Sequence, residues 1–251
     1  MNPILTNLLD DTQRLVVLTG AGMSAESGVP TFRDKQTGLW EQYDPETLAS
    51  IQGWRRDRDL VWAWYMWRMA LIQDKAEPNA GHNAIADMAK MVHVEVFTQN
   101  TDNLHERAGS TDVVHFHGNI AQPYCEDCGR IHREPIVMPE IEQQRVAPPR
   151  CVQCAGYIRP GVVFFGEMLP DGCIDQAANA ILNADLVLVV GTSAIVHPVA
   201  SLPPFAIQNA IPTVEINPNP TAFSPQATLH WPVSAAVGLA EIADYLHARQ
   251  A

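Results

Sequence analysis

Basic residues are scarce: 16 Lys and Arg stand against 28 Asp and Glu, a formal charge of −12 over 251 residues. Affinity for a nucleic-acid backbone rests mainly on such cations, so no nucleic-acid partner is expected. An acidic surface suits encounters with basic protein segments instead. Long hydrophobic runs are also missing. The most apolar stretch, Ala184–Gly191, falls well short of the roughly 20 residues that cross a bilayer, so no membrane span is expected. The opening residues, MNPILTNLLDD, lack the basic start and apolar core of a secretory signal. Cysteine is limited to five residues, four of them in two C-x-x-C pairs. Without a signal peptide that usage favours metal binding over disulfides and predicts a cytoplasmic chain.

What is present is apolar and periodic. With 47% hydrophobic residues, the chain can bury one large core, or a core and a satellite. Short apolar runs at Leu15–Thr19, Val92–Thr98, Val113–His115, Val162–Phe164, Leu186–Val190 and Thr213–Ile216 each end in a polar or glycine-rich turn. Helical patterns separate them, at 82–91, 173–183 and 235–248. Apolar strands alternating with helices predict an α/β fold around a buried parallel sheet, with functional residues at the strands' carboxyl ends. Two segments break the rhythm, a tryptophan-rich helix near 57–74 and the cysteine-bearing stretch 123–158. The expectation is a Rossmann-like domain over 1–43, 76–122 and 160–251, with a smaller inserted domain over 44–75 and 123–159.

Cys125-x-x-Cys128 and Cys151-x-x-Cys154, with 22 residues between the pairs, can close a thiolate tetrahedron around one structural Zn²⁺. Four protein ligands leave no open position for a substrate. Cys173 reads as a buried small hydrophobe. The first strand breaks into Gly20-Ala21-Gly22, and Gly20, Gly22 and Ala25 fit the G-x-G-x-x-G/A pattern of dinucleotide folds. Ser24, Glu26, Ser27, Gly28 and Pro30 then stand where a dehydrogenase helix would run. Gln99, Asn100 and Asp102 follow a second strand, and His117 a third. Gly191-Thr192-Ser193 follows another and suits phosphate; Asn217 ends the next and suits a ribose. On the helix at 57–74, Leu60, Trp64, Trp67 and Leu71 form a stripe expected to be core. Tyr65 and Arg68 share the neighbouring face, where pattern alone predicts a core-edge tyrosine and a solvated arginine.

The ordered segments GAGMSAESGVPTFRD…GLW, TQNTDNLH, HFHGN, the two C-x-x-C pairs, RPGVVFFGEMLP, GTSAIVHPVA and EINPNP resemble the sirtuin family of NAD-dependent protein deacylases over about residues 12–247. The resemblance implies a Rossmann-like domain, a small zinc-ribbon and helical domain, and a cleft for NAD and an acyl-lysine between them. It makes Gly20, Ala21, Gly22, Ala25, Glu26, Thr31, Phe32, Arg33 and Trp40 cofactor-binding, with Ala21 and neighbouring backbone holding the pyrophosphate. By the same resemblance the segment after the Gly-Ala-Gly turn is a mobile cofactor loop, with Phe32 and Arg33 closing over the reacting ribose. Gln99 matches a ribose contact, Asn100 and Asp102 the nicotinamide pocket, and Gly191, Thr192, Ser193, Asn217 and Ser234 further cofactor contacts. His117 matches the catalytic base, and Val162 and Phe164 the acyl-lysine contacts.

The implied products are free lysine, nicotinamide and O-acyl-ADP-ribose. Tyr65-Met-Trp-Arg68 matches the Tyr-x-x-Arg pair of the subgroup that removes malonyl, succinyl or glutaryl groups. The match reverses the pattern-only reading and implies a desuccinylase or demalonylase with weaker deacetylation. The chain departs from the family's pattern at Asn119 and Asn219, and only loosely matches it over 231–237. Protein mono-ADP-ribosyl transfer and non-catalytic NAD sensing remain the alternatives on the same fold.

Overall fold

Five of the six apolar runs become strands of one sheet in the computed structural model, which describes residues 2–29, 43–136 and 145–250. They are β1 (Arg14–Thr19), β2 (His93–Thr98), β3 (Val113–His115), β6 (Leu186–Val190) and β7 (Thr213–Ile216). A three-residue edge strand, β8 (Leu229–Trp231), completes the order β3-β2-β1-β6-β7-β8. Every pairing is parallel. β6 is buried at all five positions, as a strand covered on both faces must be. The chain winds outward through β2 and β3, then returns past β1 to β6. The order therefore reverses between β1 and β6, and a crevice opens at their carboxyl ends.

One sheet face packs Leu15, Val17 and Leu188 against α1 (Pro3–Asp10), α5 (Ala80–Met88) and α9 (Ala235–Gln250). The other packs Val16, Leu18 and Val187 against α7 (Cys173–Leu182) and α8 (Leu202–Gln208). A third apolar cluster joins α3 (Ile51–Arg56) and α4 (Arg58–Ala70) to Cys125, Cys151 and Ile158. There β4 (Tyr124–Cys125) and β5 (Ile158–Arg159) form a small antiparallel ribbon. Among the described residues, no helix is long and apolar enough to cross a membrane.

Two expectations are corrected. Val162–Phe164 is not a strand of the sheet. Its neighbourhood makes only isolated bridges, Gly118 with Val162 and Ser50 with Phe165. Its backbone partners come from different segments: Val163 N–H donates to the His117 carbonyl (2.8 Å), and Phe164 N–H to the Glu167 carboxylate (2.9 Å). The helical stripe, likewise, is only part of the core face of α4: Leu60 and Trp67 pack against the same cluster that encloses Trp64. Trp64 is fully buried, but Leu60, Trp67 and Leu71 are only partly so. Val61, Trp62, Ala63, Tyr65, Met66, Arg68 and Met69 are buried, so this helix is enclosed on nearly all sides.

Candidate functional site

Parallel register brings the functional loops together. Thr19 pairs with Thr98 and with Val190, Thr98 with His115, and Val190 with Ile216. The strands thus end in one row, and the residues just beyond it, Gly20, Gln99, Gly191 and Asn217, fall along one edge. All four line a cleft of about 610 Å³. The first two glycines are required by packing. A Cβ on Gly22 would lie 2.8 Å from Gly191 Cα, and one on Gly20 would lie 2.7 Å from Thr192 Cβ. Thr192 ties the row together: its Oγ1 accepts from Gln99 Nε2 (2.9 Å) and its carbonyl from Asn217 Nδ2 (3.0 Å).

His117 lines the cleft from the end of β3, with Nδ1 2.9 Å from the Gln99 carbonyl. A carbonyl only accepts, so Nδ1 carries the hydrogen and Nε2 of the neutral ring keeps its lone pair. Burial holds the ring's pKa below its ordinary value, opposed by the Gln99 bond. Neutral imidazole is therefore the resting form at pH 7.

A directed chain runs beside it. Asn100 Nδ2 donates to Ser24 Oγ (3.1 Å), Ser24 donates to Asp102 Oδ2 (2.9 Å), and Asp102 Oδ1 accepts from the Leu104 amide (3.1 Å). Burial pushes the Asp102 carboxyl up, and these two bonds oppose the rise. Ser24 is the link that the sequence pattern did not assign.

Beneath this chain lie two buried imidazoles, His82 and His105, with ring centroids 4.9 Å apart. His105 Nε2 sits 3.2 Å from Thr19 Oγ1, which bonds Thr98 Oγ1 (2.8 Å) at the ends of β1 and β2. Burial lowers His82 to about 4 and His105 to about 3. Unfolded histidine titrates near 6.5. Below that pH the unfolded chain binds protons that the native one does not, so stability falls from about pH 6.5 towards pH 3–4. Each residue contributes a slope of at most about 1.4 kcal/mol per pH unit. His82→Gln retains a capping side chain for α5 and should flatten this dependence in urea unfolding between pH 7 and 5. Equal slopes in variant and wild type would refute the contribution.

The other end of the cleft is aromatic and cationic. Tyr65 and Arg68 are 4% and 6% exposed, yet both line the cleft. The arginine is buried, contrary to the pattern-only reading. Its Cζ lies 5.3 Å from the Trp64 ring centroid. Burial raises the Tyr65 phenol pKa and lowers that of Arg68, so the tyrosine stays protonated. Val162 and Phe164 line the same wall. Arg159 and Glu167 brace their loop through a bidentate pair (2.6 and 2.7 Å), while Arg159 also donates to the Val162 carbonyl (3.1 Å). Sequence reasoning missed this pair because its partners carry no spacing signal. It also missed Glu215, which is buried and binds the Thr221 and Ser224 hydroxyls, closing the loop after Asn217.

The cysteine pairs converge away from the cleft. Their four sulfurs lie within 4.8 Å of one another, with Cys125–Cys154 at 3.4 Å and Cys128–Cys151 at 3.8 Å. A zinc tetrahedron with bonds of about 2.3 Å has sulfur–sulfur edges near 3.8 Å, so the set fits one Zn²⁺. Cys173 is buried at the start of α7, outside this cluster.

Ala21, Gly22, Asn100, Asp102, Thr192 and Ser193 also line the cleft. Ala25 and Glu26 form an exposed 3-10 turn outside that lining, and Ser234 stands at the start of α9, where its hydroxyl accepts from Val237 N–H (3.4 Å). Thr31, Phe32, Arg33 and Trp40 lie outside the described residues.

Residues 20–198 match the model of the Sir2 family. The chain is 48% identical over 235 residues to an NAD-dependent protein deacylase of Corynebacterium glutamicum, covering 92% of this chain and 91% of that one. It is 46% identical over 237 residues to the enzyme of the same name from Mycobacterium tuberculosis, covering 94% and 98%. A crystal structure of a Sir2 homologue in complex with NAD superposes with a TM-score of 0.90 at 39% identity, covering 100% of this chain and 96% of that one. A Sir2–p53 peptide–NAD⁺ complex superposes at 0.81 with 28% identity, covering 97% and 98%.

Proposed function

The chain belongs to the Sir2 family, and from that membership we propose that it is an NAD-dependent protein-lysine deacylase favouring acyl groups that end in a carboxylate. Residues 44–75 and 123–159 are read as a second, zinc-bearing domain facing the NAD-binding one. Cys125, Cys128, Cys151 and Cys154 hold a zinc ion that shapes this domain and takes no part in the reaction.

When bound, NAD supplies a nicotinamide–ribose bond whose cleavage drives removal of the acyl group. The glycine turns at Gly20–Gly22 and Gly191 let backbone amides approach a pyrophosphate. Asn100 and Asp102, oriented by Ser24, line the end that takes the nicotinamide carboxamide, with Asp102 accepting its N–H. His117 Nε2 receives a proton from a ribose hydroxyl, a role that its lowered pKa and fixed tautomer support. Val162 and Phe164 hold the lysine stem. With one water consumed, the products are free lysine, nicotinamide and O-acyl-ADP-ribose.

The acyl preference rests on one observation: an arginine that is only 6% exposed lines the cleft together with a protonated tyrosine. A buried cation loses hydration, and a carboxylate bound across its planar fork offsets that loss with charge-assisted bonds. Acetyl-lysine brings no such anion. The deciding quantity is kcat/KM for succinyl- over acetyl-lysine peptide. It should fall about ten- to a hundredfold in Arg68→Met, since a hydrogen bond to a charged group contributes about 1.5–3 kcal/mol. An unchanged ratio would leave Arg68 as a helix residue and the enzyme as a deacetylase. Nicotinamide release that proceeds equally without acyl-peptide would favour ADP-ribosyl transfer.

A further inference from the structure

The knuckle that carries Cys125 and Cys128 sends one side chain away from the thiols, towards the helices. Glu126 Oε2 accepts a 2.7 Å hydrogen bond from the Trp54 indole N–H on α3, and its Oε1 lies 3.2 Å from Arg58 on α4. The Glu126 amide donates to the Tyr157 carbonyl (3.0 Å), which fixes its backbone in the ribbon. Trp54 is completely buried and stacks on Phe164, with centroids 6.0 Å apart and planes at 24°. Phe164 lines the cleft and Trp54 does not. The remaining contacts of Phe164 are equally defined: Tyr65 meets it edge-on at 5.8 Å, and the Arg159 guanidinium lies 4.4 Å from its ring.

A buried indole N–H requires an acceptor, and Glu126 supplies it. The hydrogen bond fixes one edge of the indole while the stack fixes its face, so the ring keeps a single orientation. The first turn of α3 is also tied to the Phe164 loop, because Ile51 N–H donates to the Phe165 carbonyl (3.1 Å). We infer that Glu126 is a positioning residue for the acyl-lysine: through Trp54 it sets where Phe164 stands in the cleft. The inference rests on the deacylase reading above. It gives the ribbon a role in substrate recognition in addition to stability. Glue between ribbon and helices would act differently, lowering the melting temperature without separating the two substrates.

The test is steady-state kinetics with acyl-peptide and NAD varied separately, together with zinc content. Glu126→Ala should raise KM for the acyl-peptide about five- to tenfold, the loss of one buried hydrogen bond. KM for NAD and kcat should stay within about twofold, with one zinc retained per chain. Glu126→Gln keeps an acceptor oxygen and should restore the peptide KM. Trp54→Phe keeps the stack but lacks the N–H, so it should reproduce Glu126→Ala, and the double variant should be no worse than either single one. An unmoved peptide KM, or equal rises for both substrates, overturns the inference. Should Glu126→Ala lose zinc, Trp54→Phe, which leaves the knuckle intact, decides by the same criteria. A wild type that turns over no acyl-peptide overturns the deacylase reading. Wild-type turnover with unmoved KM in the variants overturns this inference alone.

Discussion

His117→Tyr is expected to lower kcat for deacylation by about 10²–10⁴-fold while NAD still binds, the usual cost of losing a general base. The His117 imidazole combines a fixed tautomer with a free basic nitrogen in the cleft, because the Gln99 carbonyl takes the Nδ1 hydrogen at 2.9 Å. A phenol at this position has a pKa near 10 and holds no acceptor of comparable basicity at pH 7. The pH profile gives a second readout. Burial lowers the His117 pKa, so the decline of kcat/KM on acidification should be centred below the ordinary imidazole value of about 6.5. The residual activity of His117→Tyr should lack that acid limb. NAD binding should survive because Gly20, Gly191, Thr192 and Asn217 line the cleft from other strand ends. Turnover of the variant at near wild-type rate would remove His117 from the mechanism.

Cys151→Ala is expected to release the zinc and lower the melting temperature by about 10 °C or more. Structural zinc contributes roughly 10–16 kcal/mol of apparent binding free energy in small modules. For a chain of this size each kcal/mol moves the melting point by about 2–4 °C. The loss should spread beyond the ribbon, because Cys125 and Cys151 are buried in the same apolar cluster as Trp54, Trp64, Tyr65 and Phe164. Disordering the knuckle would expose that cluster and the acyl end of the cleft together. Cys173→Ala is the control: this residue packs beneath the sheet with Phe97 and Ile181, so its variant should retain the metal. Elemental analysis and thermal unfolding of both variants check the expectation. Stoichiometric zinc in Cys151→Ala with an unchanged melting point would sink it.

Much of the site was legible because parallel strands have a simple rule. Apolar runs interrupted by glycine or polar turns are buried strands, and their following residues must meet at one sheet edge. That rule placed Gly20, Gln99, His117, Gly191 and Asn217 without coordinates, and register carried it out. The cysteine spacing was equally informative, since two knuckles of two ligands each describe a closed tetrahedron locally. The failures share a cause. Periodicity marks a buried face only when another face meets water, and α4 is enclosed on nearly all sides. Its stripe therefore marked only part of the core, and pattern alone misread Arg68 as solvated. The run Val162–Phe164 has strand composition, yet its Val163 and Phe164 amides bond to the His117 carbonyl and the Glu167 carboxylate.

The sequence by itself determined the fold class, the metal ligands and the identity of the residues at the strand ends, because each is written in local periodicity or fixed spacing. Only the tertiary structure decided that Tyr65 and Arg68 face the cleft, that Ser24 orders Asn100 and Asp102, and that Glu126 grips Trp54. Those contacts join residues 72 to 78 positions apart, or turn on which side of an enclosed helix meets a cavity. Chain separation carries no distance information until strands and helices have packed.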